Sequence, residues 1–152
     1  MSEPGSRCLG SRAGARFSLV HPSVLVIEDD PDIRDSVVGL IQTEAPWVRV
    51  TSAGDGLEAL EQIEDAGAPC LALLDIMMPV MNGLEFLDAL RERGLGTDMH
   101  VVLVSGYVQL AKHVQYPGVT GLLPKPFRAA DLLAVVRQHC PDPSSAGSSA
   151  PP

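Results

Sequence analysis

LALLDIMMPVMNG, residues 71–83, decides the fold. Its first four residues are apolar without interruption, as in a strand buried on both faces. The fifth is a carboxylate, Asp75, at the end of that run. The loop that follows carries Met77, Met78 and Met81, where a solvated loop is ordinarily polar. Pro79 through its fixed φ and Gly83 through its permissive φ are read as shaping the turn into the next helix. A charge held at the end of a buried strand needs partners, and these must come from neighbouring strands.

The rest of the chain supplies such strands. VLVI (24–27), CLALL (70–74) and HVVLVS (100–105) are short apolar runs, VTGLLP (119–124) is a shorter fifth strand, and WVRVTS (47–52) alternates like a less buried one. Helical spacing separates them. Asp30 reads as an N-cap with Pro31 at the first helical position, followed by Ile33, Val37, Leu40 and Ile41. Asp55 with Glu58 fits a capping box before a stripe of Leu57, Leu60 and Ile63. GLEFLDALRERG (83–94) turns Leu84, Leu87 and Leu90 inward and ends near a glycine. FRAADLLAVVRQHC (127–140) is the last helix, and YVQLAKHVQYPGV (107–119) predicts a short fourth one. Five apolar strands with crossover helices imply an α/β fold: a doubly wound parallel sheet with helices on both faces.

Composition limits the function classes. The 152 residues are 45% hydrophobic and 20% charged, as for a soluble domain with a core. No apolar run approaches the ~18 residues needed to cross a bilayer. The net charge is −8; residues 1–22 hold +2, leaving −10 for residues 23–152, which argues against a nucleic-acid partner. Cys8, Cys70 and Cys140 lack metal spacing and are expected as free thiols in a reducing cytoplasm. His21, His100, His113 and His139 form no ligand motif. Residues 1–22 have no apolar signal segment and are expected to be a disordered extension, with 23–140 the folded domain and 141–152 a disordered tail or the start of a linker.

The carboxyl edge of such a sheet is where ligands bind. Strand one ends in Glu28, Asp29 and Asp30, strand three in Asp75, strand four in Ser105, and strand five in Lys125 between two prolines. Clustered acids repel unless neutralised. Lys125 offsets one charge and a hard divalent cation offsets more, since Mg²⁺ prefers carboxylates, water and phosphate oxygens. The set describes a magnesium site holding a phosphoryl group, with Asp75 as nucleophile. Taken singly, each residue also has an ordinary reading: Asp30 as a helix cap, Ser105 as a loop residue, Lys125 as surface punctuation.

VLVIEDDPDIR (24–34), LLDIMMPVMNG (73–83), VVLVSGY (101–107) and LPKPF (123–127) occur in order, and residues 23 to about 140 resemble the receiver domain of two-component response regulators. The resemblance implies a flavodoxin-like strand order 2-1-3-4-5. It implies that Asp75 accepts a phosphoryl group from a phosphohistidine on a histidine kinase or phosphotransfer protein, and that Asp29, Asp75 and the Met77 carbonyl bind Mg²⁺, with Glu28 acting mostly through a bound water. Ser105 and Lys125 would each contact a phosphoryl oxygen, and the Lys125–Pro126 bond would be cis. Leu122 stands where the family often has an aromatic residue, and Tyr107 is placed to shade the site in its stead. The chain would catalyse only its own phosphorylation and dephosphorylation. It would signal to a downstream protein target by contact or onward transfer, with the helix 4–strand 5–helix 5 face available for a homodimer. Three other readings stand beside this one: a domain of a hybrid kinase or larger regulator, a pseudo-receiver that is not phosphorylated, and a metal-dependent phosphohydrolase. The last normally needs an acid two residues after the nucleophile, where this chain has Met77.

Overall fold

The computed structural model describes residues 22–144. The elements are β1 (Ser23–Ile27), α1 (Pro31–Glu44), β2 (Arg49–Ala53), α2 (Gly56–Ala66), β3 (Leu71–Asp75), α3 (Gly83–Arg93), β4 (His100–Ser105), α4 (Val108–Lys112), β5 (Val119–Pro124) and α5 (Ala129–His139). All pairings are parallel, in the order β2-β1-β3-β4-β5. The expected doubly wound sheet and its strand order are therefore both present.

Strand alternation divides the interior into two cores. Leu25 and Ile27 of β1, Ala72 and Leu74 of β3, and Val101 and Leu103 of β4 face α2 and α3. Val24 and Val26, Leu71 and Leu73, and Val102 and Val104 face α1 and α5. This two-residue period is the reason the strands must be apolar throughout: each side chain meets a helix on one face or the other. All five residues of β3 are buried, Asp75 included. The edge strand β2 alternates in exposure, as its sequence suggests.

The helices start where their caps dictate. Asp30 accepts from the amides of Asp32 and Ile33, with Pro31 at the first helical position. Asp55 accepts from Glu58 N–H, while the Glu58 carboxylate reaches Gly54 N–H at 2.7 Å, one residue outside the usual capping box. A complete box, missed in the sequence, opens α3: Asn82 and Glu85 each bind the other's amide at 2.9 Å.

One stripe assignment needs correcting. Leu57 is 40% exposed, because α2 buries Gly56, Ala59, Leu60 and Ile63, and Leu57 lies about 100° round from Gly56. In α3, Leu84, Leu87 and Leu90 do face inward, Leu84 half-buried at the margin of the core, and Phe86 joins them fully buried.

The fourth helix is a single five-residue stretch with no side-chain cap. On β5, Thr120 is the extra residue of a register shift opposite Val101 and Val102. Residues 1–21 and 145–152, which hold most of the expected extension and tail, lie outside the described residues. Residues 141–144 include a local turn in which Asp142 accepts from Ser144 N–H and Oγ. Among the described residues no helix is long and apolar enough to cross a membrane.

Phe86 is the largest of the fully buried side chains. Phe86→Ala is expected to lower unfolding free energy by about 3–5 kcal/mol in urea denaturation.

Candidate functional site

The strand order reverses at β1, so the carboxyl ends of β1 and β3 flank the topological switch point. Glu28 and Asp29 follow β1 directly, and Asp75 ends β3. Each of the three offers a carboxylate oxygen, and these lie within 4.8 Å of one another. Glu28 and Asp75 are buried; Asp29 is exposed.

Lys125, following β5, reaches back across the edge. Its Nζ donates to Glu28 Oε1 at 2.7 Å and to Asp75 Oδ2 at 3.4 Å. The backbone steers it there: Lys125 N–H donates to Ser105 O at 2.9 Å, and the Lys125–Pro126 peptide is cis. One cation thus serves two buried acids with a third close by, leaving net negative charge.

The ionisation equilibria reflect this excess. Burial raises the Glu28 pKa, and repulsion from Asp75 adds to it, against the lowering effects of Lys125 and Asp30 N–H. Burial opposes the charge on Lys125, but its bond to Glu28 and the fields of both carboxylates outweigh that and raise its pKa.

Ser105 is fully buried at the end of β4. Its Oγ accepts from Tyr107 N–H at 2.8 Å, so its own hydroxyl proton remains to be donated elsewhere. Met77 N–H donates to Asp75 Oδ1 at 3.3 Å, orienting the carboxylate. The Met77 side chain is 49% exposed, whereas Met78 and Met81 pack against the core under α2 and α3. Leu122 packs there too, and Tyr107 stands 59% exposed beside Ser105.

The loop after Asp75 works differently from its sequence reading. Gly83 does not supply a positive φ; Val80 does, at +67°. Met81 N–H bonds Pro79 O at 2.7 Å, so Val80 is the centre of a classic γ-turn, a rare and strained geometry for a β-branched residue. Gly83 is needed for space. A Cβ there would lie 2.7 Å from Asp75 O and 2.9 Å from Ile76 Cα, while Gly83 N–H closes the loop on Ile76 O at 2.8 Å. Gly56 N–H ties the same loop to α2 through Met81 O.

Arg34 had no assigned role in the sequence. Its guanidinium donates to Glu28 O at 2.8 Å and holds the chain where it leaves β1. The available signal was its position in the first turns of α1, on the helix that follows the acids.

A family model described as the response regulator receiver domain matches residues 24–137. The nitrate/nitrite response regulator protein NarL of Escherichia coli (strain K12) is 36% identical over 116 residues, 76% of this chain and 53% of that protein. A 14.6 kDa protein of Leptolyngbya boryana is 30% identical over 125 residues, 81% of this chain and 93% of that one. The receiver domain of NtrX from Brucella abortus superposes with a TM-score of 0.67 at 30% identity, covering 77% of this chain and 97% of that chain. The response regulator protein TrrA from Thermotoga maritima, solved in complex with Mg(2+)-BeF, gives 0.66 at 26% identity, with the same coverage. The chain spans about half the length of NarL, and of the response regulator MprA of Mycobacterium tuberculosis.

Three substitutions test this geometry. With its pKa raised in the fold, Glu28 stabilises folding fully only below its unfolded pKa, and that contribution is lost as pH rises through the folded value. Ionised Glu28 therefore costs stability at neutral pH, and Glu28→Gln is expected to raise the Tm of the metal-free protein at pH 7, with the gain shrinking as the pH is lowered. Gly83→Ala is expected to cost roughly 1–3 kcal/mol in urea unfolding, because both obstructing atoms are backbone. Gly39→Ala, inside α1 with nothing within 4 Å, should instead stabilise by about 0.5–1 kcal/mol.

Proposed function

The chain belongs to the response regulator receiver domain family, and on that premise we propose that Asp75 takes a phosphoryl group from a phosphohistidine on a histidine kinase or phosphotransfer protein. The observation that carries this reading is the Glu28, Asp29 and Asp75 oxygens within 4.8 Å of one another, with Lys125 bridging two of them. That oxygen-only, net negative set suits Mg²⁺. Asp29, Asp75 and the Met77 carbonyl would hold the ion directly, and Glu28 through water. When bound, Mg²⁺ supplies neutralising charge for the phosphoryl oxygens.

The chain's own residues do the remainder. An Asp75 oxygen attacks phosphorus, the bond from phosphorus to the imidazole nitrogen breaks, and an acyl phosphate forms on Asp75. The Lys125 ammonium moves from sharing two carboxylates to pairing with a phosphoryl oxygen. The Ser105 proton, not consumed by Tyr107, donates to another. Such transfer asks for positioning and charge neutralisation, and these groups provide both. Hydrolysis follows by in-line water, with Met77 and Tyr107 at the rim setting its access.

Output then goes to a downstream protein target by contact or onward transfer in the cytoplasm, with the α4–β5–α5 face open to homodimerisation. Exposed Tyr107 and Leu110 at α4 support protein contact on that side. The −10 charge of residues 23–152 disfavours nucleic acid.

Incubation with acetyl phosphate and Mg²⁺, followed by intact mass, is expected to add one phosphoryl group. Asp75→Asn should abolish the adduct, and chelation of Mg²⁺ should suppress it in the unaltered chain. An undiminished adduct on Asp75→Asn would refute the assignment.

A further inference from the structure

At the end of the sheet remote from the carboxylates, the fold gathers two thiols that the sequence keeps far apart. Cys70 immediately precedes β3 and is exposed. Cys140 caps the C-terminus of α5, is fully buried, and packs in the core beneath α1 and α5. The two thiols are close enough to interact directly.

Separate contacts hold both residues in this arrangement. Cys70 N–H donates to Ser23 O, and Cys70 O accepts from His100 N–H, each at 3.0 Å. Cys140 N–H donates to Val136 O at 2.7 Å, and its carbonyl accepts the Trp47 indole N–H at 2.8 Å. Their neighbours meet as well: the rings of His100 and His139 lie 5.0 Å apart, and His139 Nε2 is 3.2 Å from Thr120 Oγ1. Contacts from β1, β4, β5, α5 and Trp47 therefore fix the pair and its neighbours, and neither thiol takes part in the phosphoryl chemistry.

We propose that Cys70 and Cys140 are a redox-responsive dithiol that closes to an intramolecular disulfide when the protein meets a disulfide oxidant such as oxidised glutathione. The order of events follows from exposure. The Cys70 thiolate attacks one sulfur of oxidised glutathione, forming a mixed disulfide and releasing one glutathione thiolate. Cys140 then loses its proton to solvent and attacks the Cys70 sulfur, and the second glutathione thiolate leaves. Two protein thiols give up two protons and two electrons, and one glutathione disulfide becomes two glutathione thiols. Burial and the neighbouring Cys70 push the Cys140 thiol up to about 12, so it is the resolving group and its step is the slow one.

The resulting bond would join the start of the strand that ends in Asp75 to the end of α5. It constrains the unfolded chain far more than the folded one. The reading is independent of phosphorylation and survives if Asp75 proves inert.

The test uses the full chain and a Cys8→Ser variant, which removes the third thiol. After treatment with oxidised glutathione, the Cys8→Ser chain is expected to lose the mass of two hydrogens without retaining glutathione, and the full chain to show the same loss with at most one glutathione, on Cys8. Peptide mapping should recover a Cys70–Cys140 link. The unfolding midpoint should rise, and fall back on reduction. Cys70→Ser, at an exposed position, should show neither change, and Cys140→Ala should stop at a glutathione adduct on Cys70. A lasting glutathione adduct on Cys70 in the Cys8→Ser chain, a link through Cys8 or between copies, or no reaction at all would each overturn the proposal.

Discussion

Two buried carboxylates with a single ammonium between them set the terms for this molecule. Glu28 and Asp75 are ends of neighbouring strands, and nothing apolar can replace the cation that Lys125 brings to them. Lys125 can reach only because β5 sits beyond β4 and the chain turns back at Ser105 O. Burying charge is tolerable only with a partner of opposite sign. The strand order and the bond from Lys125 N–H to Ser105 O hold that partner in place, while Arg34 fixes the chain at Glu28 O. The pairing is also incomplete by design, since the exposed Asp29 adds negative charge without a second lysine. The site thus carries more negative charge than Lys125 alone offsets.

The elements were legible because their signals are local. Apolar runs such as VLVI and LALL are bounded by Glu28 and Asp75, and the Asp30–Pro31 cap marks α1 to the residue. The acids were legible because the strand ends are. What escaped depends on packing or on distant pairs. Gly83 looked like a backbone hinge, but its need for space appears only once α3 is laid against Asp75 O. Leu57 fits a helical stripe equally well on either margin of the buried face, and only the seat of Gly56 against Met81 decides between them. The γ-turn at Val80 has no sequence signal, because a β-branched residue is the last expected at positive φ. Cys70 and Cys140 meet only after the whole sheet is assembled.

The methionine-rich loop also resolves into separate jobs. Met78 and Met81 are packing residues, and the Met81 carbonyl is a bracket between the α2 start and the loop after Asp75. Met77 turns its side chain outward and gives its amide to Asp75. Main-chain groups position the site here, which frees the side chains to be apolar.

The single turn of α4 has a consequence of its own. It lacks a capping side chain, spans five residues and buries only Ala111, so little free energy is invested in its present shape. Helices this short owe their existence to their surroundings. The bridged acids thus adjoin the helix with the fewest supports of its own. Contact made at the exposed Tyr107 and Leu110 would therefore bear on the helix with the least packing of its own.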